Sequence, residues 1–172
     1  MIEALENSAY AVWVRESPSI FAYTTILSLH AIGLAIIVGI HTLIALRLLG
    51  FVPGIPLQPL RKLFPWMYLG FTINLFSGTS LFVANLSNDL GNWLFLAKLG
   101  FIALAMINLE LTRIYVFDKP AAAGATGAAS AASGLPKHSG TFAIAALVLW
   151  SLAMVAGRFT AYPNFVEAWL GF

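Results

Sequence analysis

Two histidines within one long apolar segment are the residues of this chain best suited to chemistry. His30 and His41 lie eleven positions apart in the apolar run from Ser19 to Leu46. On a helix this spacing is three turns plus about 20°, so both imidazoles share one face, about 16 Å apart along the axis. Ionisable side chains inside a membrane-spanning segment are costly and commonly functional. The pair therefore predicts a cofactor or ligand site within a helix bundle.

The chemistry that this pair favours is haem ligation. Neutral imidazole is a standard axial ligand of haem iron, and helix bundles hold haem between their helices. One or two b-type haems, bound through His30 and His41, would serve electron transfer within or across the membrane. Gly33, one turn after His30, would leave room for a flat macrocycle or for close helix packing.

Basic residues near the ends of the apolar segments could bind the haem propionates, because arginine and lysine pair with carboxylates. Arg158 is the strongest of them, since a cation inside a membrane segment requires a buried or interfacial anion. The alternative for each is that it only marks a helix end. The residues concerned are Arg15, Lys98 and Arg158 on one side, and Arg47, Arg61 and Arg113 on the other.

The ligand count limits the haem hypothesis. Two haems, each held between two histidines, need four histidines, and the chain has three. The third, His138, follows Lys137 and is expected nearer the surface than His41, so an exposed linker histidine is the alternative. A sixth ligand could be absent, could be Met67, Met106 or Met154, or could come from another protein or a second copy. The count therefore predicts a subunit of a larger redox complex or a homo-oligomer.

Three other interpretations stay open. The histidines could only bond to neighbouring helices, with Asn74, Ser77, Ser80 and Asn108 as suitable partners, in a cofactor-free scaffold or assembly subunit. The chain could handle copper or another ion through His30, His41 and His138, although high-affinity Cu(I) sites favour sulfur ligands. Proton handling or quinone binding is the last alternative.

Composition predicts a membrane protein. Of 172 residues, 60% are hydrophobic and 9% are charged, whereas soluble domains carry about 25% charged residues. The net charge of +2 is too small to predict nucleic-acid binding. The absence of cysteine excludes iron–sulfur clusters, disulfides and thiol redox chemistry.

Four apolar segments are each about as long as the roughly 20 residues that a bilayer requires. They predict an all-α fold, an integral membrane four-helix bundle with up-down-up-down topology, because backbone polar groups in lipid must be paired internally. The spans are about 19–46, 65–86, 93–116 and 140–162 within a transmembrane domain 19–162. The flanks 1–18 and 163–172 are expected to be interfacial, and 120–136 is a flexible Ala/Gly linker.

The orientation follows from the basic residues near the helix ends. Six lysines and arginines lie in the first and third connections, and three lie on the opposite side. The positive-inside rule then predicts both termini outside the cytoplasm.

Short motifs are spread over nearly the whole chain except the Ala/Gly linker. They are Trp13-Val-Arg15-Glu16-Ser17, Leu29-His30-Ala-Ile-Gly33-Leu, Leu63-Phe-Pro65-Trp66 with Gly70-Phe71, Lys98 with Asn108, and Ala156-Gly157-Arg158-Phe-Thr-Ala-Tyr162. Together they resemble a family of small bacterial four-helix membrane proteins without an assigned function, distantly similar to copper-resistance membrane proteins and to cytochrome-b-like di-haem bundles. The resemblance implies a location in the bacterial inner membrane, where the distribution of basic residues predicts periplasmic termini. It also strengthens His30 and Arg158 as site residues. The resemblance further implies a histidine near the end of the third helix in many relatives, where this chain has Arg113.

Overall fold

The part of the chain that the structure describes is built from helices and contains no strand. The computed structural model describes residues 2–119, 138–160 and 162. Four helices are long and apolar enough to cross a membrane, which confirms the predicted all-helical fold with four long apolar helices. These are Tyr23–Leu48, Leu57–Ala84, Trp93–Asp118 and Ser139–Phe159.

We number the α-helices of the described residues in chain order. They are α1 (Ile2–Glu6), α2 (Ala9–Glu16), α3 (Tyr23–Leu48), α4 (Leu57–Leu60), α5 (Phe64–Ala84), α6 (Leu86–Leu90), α7 (Trp93–Thr112) and α8 (Ser139–Phe159). A 3₁₀ turn, Arg61–Leu63, joins α4 to α5, and a π-helical segment, Arg113–Asp118, extends α7.

The first long helix begins later than the apolar run suggests. The prediction placed its start at Ser19, whereas α3 begins at Tyr23. The Ser19 backbone N–H donates to the Ser17 hydroxyl at 3.2 Å, and the Phe21 N–H donates to the Ser19 hydroxyl at 3.2 Å. Such local side-chain bonds hold the backbone in turns that compete with a helix, and Pro18 also disfavours helical geometry at Ser17.

The N-terminal flank forms two short helices beside the bundle. The N-terminal flank contains α1 and α2, and α2 packs on the end of α5, where Val14 is buried with Ile26 and Ala84. The Ala/Gly linker 120–136 and the C-terminal flank 163–172 lie outside the described residues.

The bundle is assembled from two helix pairs. Helix α3 packs most extensively on α5, α7 packs on α8, and α8 also packs on α3. Between α3 and α5 the backbones come so close that a Cβ atom on Gly33 would lie 2.7 Å from the Gly70 carbonyl oxygen and 2.8 Å from the Asn74 nitrogen. Only glycine fits there, because any side chain would have to push the two helices apart. This close approach sets the register of α3 against α5.

Gly33→Ala is expected to destabilise the protein by about 1 to 3 kcal/mol, because the added methyl group overpacks a backbone contact. Gly39→Ala is the matched control on the same helix, since a Cβ at Gly39 meets nothing within 4 Å. Thermal unfolding in detergent measures the difference. Equal melting temperatures for the two variants would contradict the proposed role of the Gly33 contact.

Candidate ligand site

A cavity of about 240 Å³ lies beside α3 and between α5 and α7. We call it the His30 cavity, because the His30 side chain lines it. Its walls are mostly apolar, with Asn74 and Gly78 from α5 and Lys98 from α7 among the lining residues. Phe82 and Phe95, which also line it, stack with their ring centroids 5.1 Å apart. The cavity therefore combines aromatic walls with a small number of polar groups, as ligand sites commonly do.

The proton on the half-buried His30 imidazole is positioned by Ser77. The Nδ1 atom lies 3.2 Å from the Ser77 hydroxyl oxygen. The Ser77 hydroxyl oxygen lies closer to the Ile73 carbonyl, at 2.7 Å, and also lies 3.2 Å from the Asn74 carbonyl. These two acceptors favour a hydroxyl that donates to the backbone and accepts from His30. Neutral His30 therefore carries its proton on Nδ1 and a free lone pair on Nε2, which makes no hydrogen bond to the described residues.

The His30 backbone accepts a second hydrogen bond from α5, the helix that carries Ser77. The Asn74 side-chain amide donates to the His30 carbonyl at 3.0 Å. Both residues are among the partners proposed for a hydrogen-bonded membrane histidine. Ser77 contacts the imidazole, whereas Asn74 contacts the His30 backbone. Gly78 completes the contact, because a Cβ atom there would lie 3.1 Å from His30 Cε1.

His41 lies in a different environment, inside the apolar core. Its Nδ1 accepts a hydrogen bond of 3.0 Å from the indole N–H of Trp150 on α8. Because indole is only a donor, neutral His41 must carry its proton on Nε2. That Nε2 is buried without a partner among the described residues. The two histidines thus hold opposite tautomers.

One helix face does not create one site, because α3 meets different neighbours along its length. Near His30 the polar partners belong to α5, and near His41 the partner belongs to α8. The helical spacing predicted the shared face, but it carries no information about which helix lies opposite each residue.

The protonation pattern of His30 suits ligation of haem iron, and that of His41 does not. Iron ligation by a histidine Nε2 requires the proton on Nδ1, where it is normally donated to an acceptor. His30 has this arrangement, whereas Trp150 offers His41 a donor in that place. The His30 cavity, at about 240 Å³, is smaller than the roughly 300–1,000 Å³ of pockets for drug-sized ligands. None of the three candidate methionines is among its lining residues.

Of the predicted cations, Lys98 is the one that lines the cavity. Its ammonium lies 5.8 Å from the centroid of the Phe95 ring. Its stem runs past Gly157 on α8, where a Cβ atom would lie 3.3 Å from Lys98 Cδ. Asp89, on α6, is close enough for its charge to interact with Lys98. Burial raises the pKa of Asp89, and the positive charge of Lys98 acts in the opposite direction.

The remaining predicted site residues lie apart from the cavity. Arg15 pairs with Glu16 at 3.0 Å and donates to the Ala84 carbonyl. Arg47 donates to the Ile55 carbonyl in the loop after α3. Arg158 is exposed, and its guanidinium lies 5.5 Å from the Tyr162 ring centroid.

His138, the third histidine, occupies the N-cap position of α8 in a left-handed conformation with φ 69°, without a side-chain capping bond. It precedes Trp150 by twelve residues, about 18 Å along the helix, so it is far from the level of His41. Sequence reasoning missed Trp150, although a buried indole N–H usually has an acceptor and could have signalled a partner.

Comparisons of this chain with protein-family models, with curated proteins and with solved structures give no match, so the resemblance described from the sequence stays a prediction.

Trp150→Phe is expected to lower the free energy of unfolding by about 0.5 to 2 kcal/mol, because it leaves the buried Nδ1 of His41 without its donor. Trp66→Phe is the control, since Trp66 is 57% exposed. Denaturation in mixed micelles measures both variants. A Trp150→Phe protein as stable as the control would contradict the importance of this hydrogen bond.

Proposed function

We propose that this protein is a membrane-embedded redox subunit that binds the ring of a lipid-soluble quinone in the His30 cavity. The observation that carries the proposal is a small, mostly apolar cavity lined by Lys98 and by His30, whose Nε2 makes no hydrogen bond to the described residues. A quinone ring is flat and apolar on its faces and bears oxygen atoms at opposite ends. Those oxygens need a few polar partners among apolar walls.

The dimensions of the cavity support this ligand class. A volume of about 240 Å³ suits one substituted six-membered ring better than a porphyrin. Phe82 and Phe95, with interplanar angle 5°, present flat aromatic surfaces at the same cavity. Lys98 offers a charged donor for a ring oxygen, and such charge-assisted bonds are stronger than neutral ones.

The setting of the site is proposed from the exposed surface. Large apolar side chains that are about half exposed occur on all four long helices, which supports a lipid-facing surface. They include Ile32, Leu75, Leu96, Ile107, Ile144 and Val155. We propose that the helices cross the bacterial inner membrane four times, with both termini on the periplasmic side.

The order of contacts supports an up-down-up-down path. Ile26 near the start of α3 clusters with Ala84 at the end of α5. Phe82 near the end of α5 stacks on Phe95 near the start of α7, and the Asn92 side chain at that start donates to the Thr160 carbonyl after α8. In each of these contacts the start of one long helix lies beside the end of a neighbouring one, as in an antiparallel pair.

A b-type haem is the second candidate, and the His30 tautomer favours it. The Nδ1–H bond to Ser77 leaves the Nε2 lone pair for iron. In this alternative His30 would ligate one haem, and Lys98 would pair with a propionate. A sixth ligand would come from a second copy of the chain or from a larger redox complex.

Electron transfer requires a redox partner whether the ligand is a quinone or a haem. Among the described residues no group of three or more His, Cys, Asp or Glu side chains is assembled that could hold a metal ion, so no specific observation favours the copper alternative. We propose that electrons pass to or from a redox centre in a neighbouring subunit or in a second copy of this chain.

The quinone proposal is tested by binding of decylubiquinone and its reduced form to protein purified in detergent. His30→Leu is expected to weaken binding of the better ligand at least tenfold, because it removes the polar partner of a ring oxygen and keeps an apolar side chain. His41→Gln is the control, since its amide oxygen can still accept from Trp150, and it should bind within twofold of the parent protein. Saturable binding that is unchanged in His30→Leu, or no binding at all, would contradict the proposal.

The haem candidate is tested by a reduced-minus-oxidised spectrum and a pyridine haemochrome count. If haem is the ligand, the expected result is one haem per chain that is lost in His30→Ala and kept in His41→Gln, because only His30 has the required tautomer. Two haems per chain, or a haem lost equally in both variants, would refute the tautomer argument. A protein without a Soret band would remove the haem candidate.

A further inference from the structure

The hydrogen bond from His30 to Ser77 makes the free edge of the imidazole an acceptor. Ser77 has already donated its hydroxyl proton to the Ile73 carbonyl, at 2.7 Å. Its oxygen, 3.2 Å from His30 Nδ1, is therefore placed to accept from the imidazole. As a result, neutral His30 has a lone pair and no proton at Nε2.

The two stable oxidation states of a quinone differ in what they offer to such an acceptor. A quinone has two carbonyl oxygens, which only accept hydrogen bonds. A quinol has two hydroxyl groups, each of which can donate one. Nε2 can accept from a quinol hydroxyl, but against a quinone carbonyl it places two lone pairs face to face. A buried pair of acceptors costs the desolvation of both groups.

We propose that the His30 cavity selects the quinol over the quinone, with Ser77 as the positioning residue that enforces this choice. The inference rests on the proposed quinone function and adds the oxidation state that the site recognises.

The other polar groups at the cavity do not reverse this selectivity. The Asn74 amide donates to the His30 carbonyl at 3.0 Å. Lys98 carries only donors, so it can bond to a ring oxygen in either oxidation state and contributes affinity for both. The Thr79 hydroxyl can donate or accept, and therefore suits both states as well. His30 is the group among the described lining residues whose hydrogen-bonding role is restricted to acceptance.

The test compares the affinities of decylubiquinol and decylubiquinone, measured anaerobically by equilibrium dialysis at neutral pH. The parent protein is expected to bind the quinol at least tenfold more tightly. Ser77→Ala removes the acceptor at Nδ1, so His30 can adopt the other tautomer and donate to a carbonyl. Its preference should fall to within about threefold, mainly through tighter binding of the quinone.

Two further variants separate this mechanism from a general disturbance of the helix. Ser80→Ala alters another buried serine of α5, which contacts Tyr10 rather than His30, and it should keep the full preference. His30→Gln carries both a donor and an acceptor and should bind the two forms about equally. Circular dichroism spectra and melting curves establish that each variant is folded.

The outcomes are distinguishable. Equal binding of both forms by the parent protein, or a full quinol preference in Ser77→Ala or in His30→Gln, would overturn the selectivity while leaving a quinone site in place. Binding of neither form by the parent protein would overturn the proposed function and this inference together.

Discussion

The close approach of α3 and α5 at Gly33 and Gly70 is the constraint on which the His30 site depends. A Cβ atom at either position would lie less than 3 Å from the other helix's backbone. With the backbones this close, the Asn74 side chain reaches the His30 carbonyl and the Ser77 hydroxyl reaches the imidazole. A wider separation would break both bonds, since hydrogen bonds weaken steeply beyond their normal length. The close packing at these two glycines thus determines which ring nitrogen of His30 carries the proton.

Polar groups in the rest of the bundle are paired unequally. His41 has one bond, to Trp150, while its Nε2 and the side-chain oxygens of Asn108 and Thr112 are buried without partners among the described residues. Buried polar atoms of this kind reduce stability unless they serve another purpose. His30 differs because its free nitrogen belongs to a side chain at a cavity wall. This difference in surroundings separates a residue that can meet a ligand from one that belongs to the core.

Much of the fold could be predicted because hydrophobic length is a strong signal. Four apolar segments correspond to the four long helices. Their ends differ by up to four residues, except that the helix Leu57–Ala84 begins eight residues before the predicted start at Pro65. The four-residue difference at the start of α3 arises from hydroxyl bonds of Ser17 and Ser19, which a count of apolar residues does not register. The polar partners of His30 were among four residues proposed from their types. Their choice required the register of α5, which depends on Gly33 and Gly70.

By itself the sequence determined that this chain forms long apolar helices, that His30 and His41 share a helix face, and that few polar groups could meet them. Local spacing is sufficient for these points, because helical geometry and hydrophobicity act over short stretches of chain. The tertiary structure alone decided that the two rings hold opposite tautomers and face different helices. Their partners, Ser77 and Trp150, are 47 and 109 residues away in sequence. An imidazole proton is positioned by whichever donor or acceptor folding brings to it.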